Sequence, residues 1–181
     1  MDAVTTRSVL IYVGDKRRAF SEFYRVLKHG GRLSIFEPVA SFREPEPRGV
    51  FLGCDVRAVA DAAEKVKALY HRAQPRDSDP MHDFDERDLL RCAEEAGFSE
   101  VRLDFEAVVA RGNPPGWGEK AWDILAKAPP NPLVPSLEEA AERALSREEA
   151  RRLLAHLRPL VEAGLRTRRQ ASAYLRATRG R

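Results

Sequence analysis

Between Ala3 and Phe36 the chain runs through a β-prone stretch, an amphipathic stretch and a second apolar stretch, and that order constrains the fold more than any other feature. Ala3-Val4-Thr5-Thr6 is suited to a strand, and Ser8-Val9-Leu10-Ile11-Tyr12-Val13 follows it as an apolar turn. Asp15 is an N-cap residue for a helix through Lys28, because its carboxylate can accept from an amide of the first turn. Ala19, Phe20, Phe23, Tyr24 and Leu27 fall at helical spacing and give that helix one face to bury. Gly30-Gly31 stops it, glycine tolerating the left-handed conformation past a helix end. Leu33-Ser34-Ile35-Phe36 is then a short strand closed by Pro38. A strand, a helix and a strand within about forty residues predict a βαβ unit, with parallel strands and a right-handed crossover.

Residues 39–54 carry Pro45 and Pro47 and read as loop. Asp55 opens a second predicted helix, with Val56, Val59, Ala60, Ala63, Val66 and Tyr70 along one side, and Pro75 and Pro80 end that region. Asp85 and Asp88 form a capping box for a third helix through Ala96, with Gly97 as its stop. Val101, Leu103, Phe105, Ala107 and Val109 alternate with Arg102, Asp104 and Glu106, so a strand covered on one face is expected. Asn113 to Pro135 is proline-rich and holds Trp117 and Trp122. Two capping boxes follow, Ser136 with Glu139 and Ser146 with Glu149. They open helices lined by Leu137, Leu153, Leu154, Leu157, Leu160 and Val161, the second carrying Pro159 and ending at Gly164. Ala171, Ala173, Leu175 and Ala177 predict a last, antiparallel strand.

The balance of 43% hydrophobic and 33% charged residues fits one globular domain rather than a disordered chain. No apolar run is long enough to span a bilayer, Met1-Asp2-Ala3-Val4 carries no signal-peptide pattern, and Cys54 and Cys92 lack a Cys-x-x-Cys partner. The expectation is a cytoplasmic protein with reduced thiols. The net charge is only +3, although arginines gather near the end as Arg166, Arg168, Arg169, Arg176, Arg179 and Arg181. With Tyr174 as the one aromatic among them, a solvated surface is expected rather than a nucleic-acid footprint.

Asp2-Ala3-Val4-Thr5-Thr6-Arg7-Ser8, then Asp15-Lys16, then Arg25-Val26-Leu27-Lys28-His29-Gly30-Gly31-Arg32-Leu33 resembles the class I S-adenosylmethionine-dependent methyltransferases, in the group that includes ubiquinone- and menaquinone-biosynthesis enzymes. His29 stands where that group usually has proline. Leu89-Leu90 with Glu95-Ala96-Gly97-Phe98 and the alternating strand after it is similar to the family's closing segment. The resemblance implies an α/β, Rossmann-like methyltransferase fold, partial, from the family's fourth strand onward, with a helical insertion before the last strand. The expected division is 1–112 as the C-terminal half of the core, 113–164 as the insertion, and 165–181 as the final strand and basic tail.

It also implies S-adenosylmethionine as cofactor and a small-molecule acceptor. Thr6, Arg7 and Ser8 would contact the cofactor, or would simply be polar residues leaving a strand. His71, His82 and Asp83 are candidates for a general base near the acceptor, with an incidental solvated loop as the plainer alternative. Glu37 and Trp117 are candidate acceptor contacts, against a strand terminator and, for Trp117 and Trp122, anchors of a helical cap. Methyl transfer works largely by positioning, so no metal is demanded. The family's Gly-x-Gly-x-Gly loop has no counterpart here; the sole Gly-x-Gly is Gly116-Trp117-Gly118. The chain is therefore expected to be truncated and weak or inactive alone. Its first strand would keep an open edge able to pair with a second copy or with a complementing N-terminal half. The alternative is a non-catalytic assembly remnant.

Overall fold

The structure is a computed structural model that describes residues 1–76 and 78–180, so Arg181 of the terminal arginine group lies outside the described residues. The predicted βαβ unit is present. Strand β1 (Ala3–Arg7) is followed by helix α1 (Lys16–Val26) and strand β2 (Arg32–Pro38), and β1 and β2 are parallel with Val4 opposite Leu33 and Thr6 opposite Ile35. Asp15 caps α1 by accepting from the amide of Arg18 at 2.9 Å. The helix stops at Val26 rather than Lys28, because Leu27 turns extended and buries its side chain, and Gly30 at φ 76° then turns the chain into β2.

The segment expected to be loop holds a two-stranded hairpin, β3 (Val50–Phe51) and β4 (Cys54–Asp55). Its two turn residues, Leu52 and Gly53, both take positive φ, the requirement of the tight hairpin turn. Helix α2 (Ala60–Ala73) begins five residues after Asp55, since Asp55 belongs to the hairpin and a 3-10 turn at Arg57–Val59 intervenes. Helix α3 (Glu86–Glu95) carries the predicted capping box of Asp85 and Asp88, with Gly97 at φ 93° after it. Strand β5 (Glu100–Arg111) precedes helices α4 (Ala121–Lys127), α5 (Leu137–Ala144) and α6 (Arg147–Glu162). Ser136 and Ser146 cap α5 and α6 as predicted, and α6 contains Pro159. After Gly164, which sits at φ 66°, the last strand β6 (Thr167–Thr178) runs antiparallel to β2, with Ile35 opposite Leu175.

The main sheet has the order β1-β2-β6-β5. The described residues fall into two compact units. Among the described residues the first comprises 1–44, 76–108 (without 77) and 170–180. In it Phe20 and Leu27 of the α1 segment and Leu89 and Ala93 of α3 pack with Leu33, Ile35, Ala173 and Leu175 of the sheet, all buried. The opposite face carries Thr5, Arg7, Ser34, Phe36, Tyr174 and Arg176, none of them buried. There the Arg7 guanidinium lies 4.4 Å over the Phe36 ring, which is 4.8 Å from Tyr174. The Tyr174 that stood alone in sequence thus has an aromatic neighbour across the sheet.

The second unit comprises Pro45–Pro75 and Val109–Arg169. Its core holds Val59, Ala63 and Val66 around α2, Trp122 and Ala126 of α4, Leu137 of α5, and Leu153, Leu157 and Val161 of α6. Helix α2 therefore packs with the helices expected as an insertion, and the boundaries at 112 and 164 do not coincide with the edges of the two units. The alternation in β5 locates the strand but overstates its burial. Val101 and Leu103 reach the core, whereas Phe105 is 39% and Val109 57% exposed. As the outermost strand of the sheet, β5 has a neighbour on one side only among the described residues.

Candidate functional site

Parallel strands bind ligands at their carboxyl ends, where the loops diverge. In the first unit those ends are Thr6-Arg7-Ser8 on β1 and Glu37-Pro38-Val39 on β2. Ser8 turns the chain out of β1 in the left-handed region, at φ 53°, while its amide donates to the Phe36 carbonyl at 2.8 Å. A non-glycine residue held there stores strain that the surroundings must impose. Thr6 Oγ1 is buried with no hydrogen-bond partner among the described residues. Arg7 points to the exposed face and stacks on Phe36.

Glu37 is what holds this turn. Its side chain is 0% exposed, and its carboxylate accepts from the amides of Val9 and Leu10 at 3.0 Å and of Ile11 at 3.1 Å. Those amides open the 3-10 turn Leu10–Tyr12, so the acid satisfies donors that a helix start leaves without partners. The expectation that Glu37 faces an acceptor pocket gives way to a structural role. The sequence does carry a signal for it: an acid within the apolar run Leu33–Pro38 must be buried, and a buried charge needs donors.

Lys16 has a similar part that no sequence pattern announces. Only 7% exposed, its ammonium donates to the carbonyls of Val13 and Pro80 at 3.0 Å and to Asp83 Oδ1 at 2.6 Å. It also lies 4.6 Å from the centre of the Phe84 ring. One side chain thus ties the segment Pro80–Phe84 to the start of α1. Asp83 is committed to Lys16 and does not orient His82.

His82 and Asp83 both line an open cleft of about 610 Å³, together with Val39, Ser41, Phe42, Phe84 and Phe105 among others. The cleft begins where β2 ends. Burial pushes the His82 imidazole below its ordinary value of 6.5; Asp79 and Glu44 oppose that, and Arg43 and Arg76 add to it. The ring is therefore neutral at pH 7.

The remaining candidates lie in the second unit. His71 is exposed on α2. Trp117 packs on the helical core under the Arg166 guanidinium, 5.5 Å from its ring, and Trp122 is 7% exposed inside that core. Both tryptophans pack in the helical core of this unit. Gly116 and Gly118 sit in the turn before α4, at a 3-10 turn rather than directly between a strand and a helix. Among the described residues no His/Cys/Asp/Glu cluster could hold a metal, and no helix is long and apolar enough to cross a membrane.

Residues 1–35 match the family model of a methyltransferase domain, a span that covers β1, α1 and the first half of β2. No curated protein matches the chain. Among solved structures, the whole chain aligns with a putative methyltransferase from Bacillus halodurans at 20% identity and a TM-score of 0.45, covering 65% of that chain. It also aligns over its full length with phosphoethanolamine N-methyltransferase 2 from Haemonchus contortus, at 14% identity and a TM-score of 0.42, covering 34% of that chain. A putative sarcosine dimethylglycine methyltransferase from Galdieria sulphuraria is 18% identical with a TM-score of 0.39, and 53% of it is covered. The chain spans less than two thirds of the length of each.

Proposed function

We propose that the chain, whose residues 1–35 match the family model of a methyltransferase domain, forms part of an S-adenosylmethionine-dependent methyltransferase acting on a small-molecule acceptor, from the fourth strand of the class I fold onward. The observation that carries the reading is that the matched residues coincide with the parallel βαβ unit. The carboxyl end of β1 suits one side of the cofactor. Thr6 offers a buried hydroxyl without a partner, and the strained Ser8 presents its turn to the same end of the sheet. When bound, S-adenosylmethionine supplies an electrophilic methyl group. The contribution of Thr6, Arg7 and Ser8 is to hold and orient it, and the clamp of Glu37 on residues 9–11 keeps their loop in place.

Gly116-Trp117-Gly118 stands beyond β5 and leads into a 3-10 turn, so it lacks the direct strand-to-helix turn of the phosphate-type glycine loop in such folds. The rest of the cofactor cradle is therefore proposed to come from polypeptide other than these residues, and cofactor binding by the chain alone is weak. Titrating the ¹⁵N-labelled chain with S-adenosylhomocysteine tests both points. Fast-exchange shifts at the amides of Thr6, Arg7 and Ser8 are expected. A tight stoichiometric complex would refute the missing cradle, and shifts that leave those three amides untouched would refute the site.

A second reading, an assembly module without activity of its own, draws on a different observation. Among the described residues β1 pairs with β2 alone, and its other edge is unpaired. A complementing half or a second copy could add a strand there.

A further inference from the structure

We propose that the open face of the main sheet binds single-stranded RNA, with bases stacked on Tyr174 and Arg7 and the backbone held by Arg32 and Arg176. This is a separate activity from methyl transfer and does not rest on that reading.

The strand register makes the surface. Arg7 stands opposite Phe36 and Phe36 opposite Tyr174, so the three form one row over β1, β2 and β6. The next row is Thr5, Ser34 and Arg176, and the one after it holds Arg32 and Thr178. Every second residue of a strand shares a face, so the rows follow one another at about 7 Å. All of these residues lie in the first unit.

The first row is a stacking platform. The Arg7 guanidinium lies 4.4 Å over the Phe36 ring, and that ring is 4.8 Å from Tyr174. Phe36 is half-buried, which leaves the Arg7 plane and the Tyr174 ring outermost, both exposed. They stand two strand spacings apart, about 10 Å. Splayed bases stack on aromatic rings and on guanidinium planes alike, and aromatic residues on a four-stranded sheet are one way in which RNA is held. Tyr174 on its own pointed to a solvated surface; Phe36 is the aromatic neighbour that sequence order hides.

Charge selects the occupant. Within the paired segments of β1, β2 and β6 the outward residues include Arg7, Arg32 and Arg176 and no carboxylate. The acid that faces them is on the outermost strand, where Asp104 takes Arg176 at 2.7 Å. Those two side chains are 69% and 63% exposed, so water screens the pair and a phosphate can replace the carboxylate. A protein partner would find two rings among arginines and hydroxyls, too little apolar area for the core of an interface. A duplex keeps its bases stacked inside, out of reach of the platform. Thr5 and Ser34, exposed in the second row, set hydroxyls beside the platform, where a ribose 2′-hydroxyl can exchange hydrogen bonds with them. That contact favours RNA over DNA.

The test is fluorescence anisotropy of a dye-labelled oligouridine of about ten nucleotides with the full chain, beside the matching deoxyuridine strand and an RNA duplex. The single-stranded RNA is expected to bind more tightly than either. It should lose about tenfold in affinity from 50 to 200 mM salt, the effect of two or three phosphate contacts. Tyr174→Ala should cost about tenfold, the loss of one stacked base, while Tyr174→Phe keeps the ring and the affinity. Arg32→Gln should weaken binding a few-fold and flatten the salt dependence. Tyr174 and Arg32 are exposed, so these variants are expected to fold, which circular dichroism checks. Arg7 is left unchanged because it belongs to the proposed cofactor end. Should a variant unfold, the amide shifts of Ser34, Phe36 and Tyr174 in the parent chain read the site without a substitution. Absence of RNA binding, DNA or duplex bound as tightly, a folded Tyr174→Ala variant that binds like the parent, or shifts confined to other residues would each overturn the proposal. No cofactor enters this assay, so its outcome and the cofactor-induced shifts at Thr6–Ser8 are judged separately.

Discussion

Glu37→Ala is expected to destabilise the sheet unit by about 4 kcal/mol, the largest loss anticipated from a polar substitution in this chain. Three backbone amides lose their acceptor at once. Val9 is 45% exposed and its amide can turn to water, but Leu10 and Ile11 are buried. Each buried donor left unsatisfied costs on the order of 1–3 kcal/mol, and the vacated side-chain volume adds to that. Against a total stability of about 5–15 kcal/mol such a loss decides whether the unit folds. Glu37→Gln keeps the volume and one acceptor oxygen but turns an N–H₂ toward an N–H, so about half the loss is expected. Urea denaturation followed by far-ultraviolet circular dichroism reads both. A cost under about 1 kcal/mol for the alanine variant would show that the carboxylate is not the clamp.

The second large effect belongs to the helical unit. Leu157 is 0% exposed on α6, within the core that includes Trp122, Leu137 and Leu153. Leu157→Ala removes three carbons from a site enclosed by rigid helices, so a cavity remains, and a loss of about 4 kcal/mol is expected. Trp117 and Trp122 both pack in this unit, which makes tryptophan fluorescence its own reporter of unfolding. Leu165→Ala is the control: that side chain is 65% exposed, and a change within about 0.5 kcal/mol is expected. Similar losses for the two would contradict the assignment of the core.

Elements whose signals are local were legible in the sequence. Asp15, Asp85, Ser136 and Ser146 all cap the helices they announce, because a cap involves only the side chain and the next three residues. The alternation of Ala171–Ala177 gave the antiparallel last strand. Less was legible where partners are distant in sequence. Asp55 looks like a helix start, yet it sits in a hairpin opposite Val50, a pairing that the prolines at 45 and 47 disguise. In β5 the alternation cannot tell an outer strand from an inner one, hence the unforeseen exposure of Phe105 and Val109.

The site shows the same division. Thr6–Ser8 at the end of β1 could be located from the βαβ pattern. The cleft around His82 could not, because it is assembled from the loop after β2, the segment before α3 and the middle of β5. His82 and Asp83 are neighbours in sequence, but Lys16, 67 residues away from Asp83, is what takes the carboxylate.

Hydrogen exchange across β1 tests most directly the claim that this strand is the open flank of the mixed main sheet. The amide of Ser8 donates to β2, and by the two-residue period of a strand those of Val4 and Thr6 do so as well. The amides of Thr5 and Arg7 point to the other side. In the isolated chain Val4, Thr6 and Ser8 should exchange slowly and Thr5 and Arg7 fast. Equal, strong protection of all five would mean that β1 already has a second neighbour, and the reading of β1 as an open edge would be wrong.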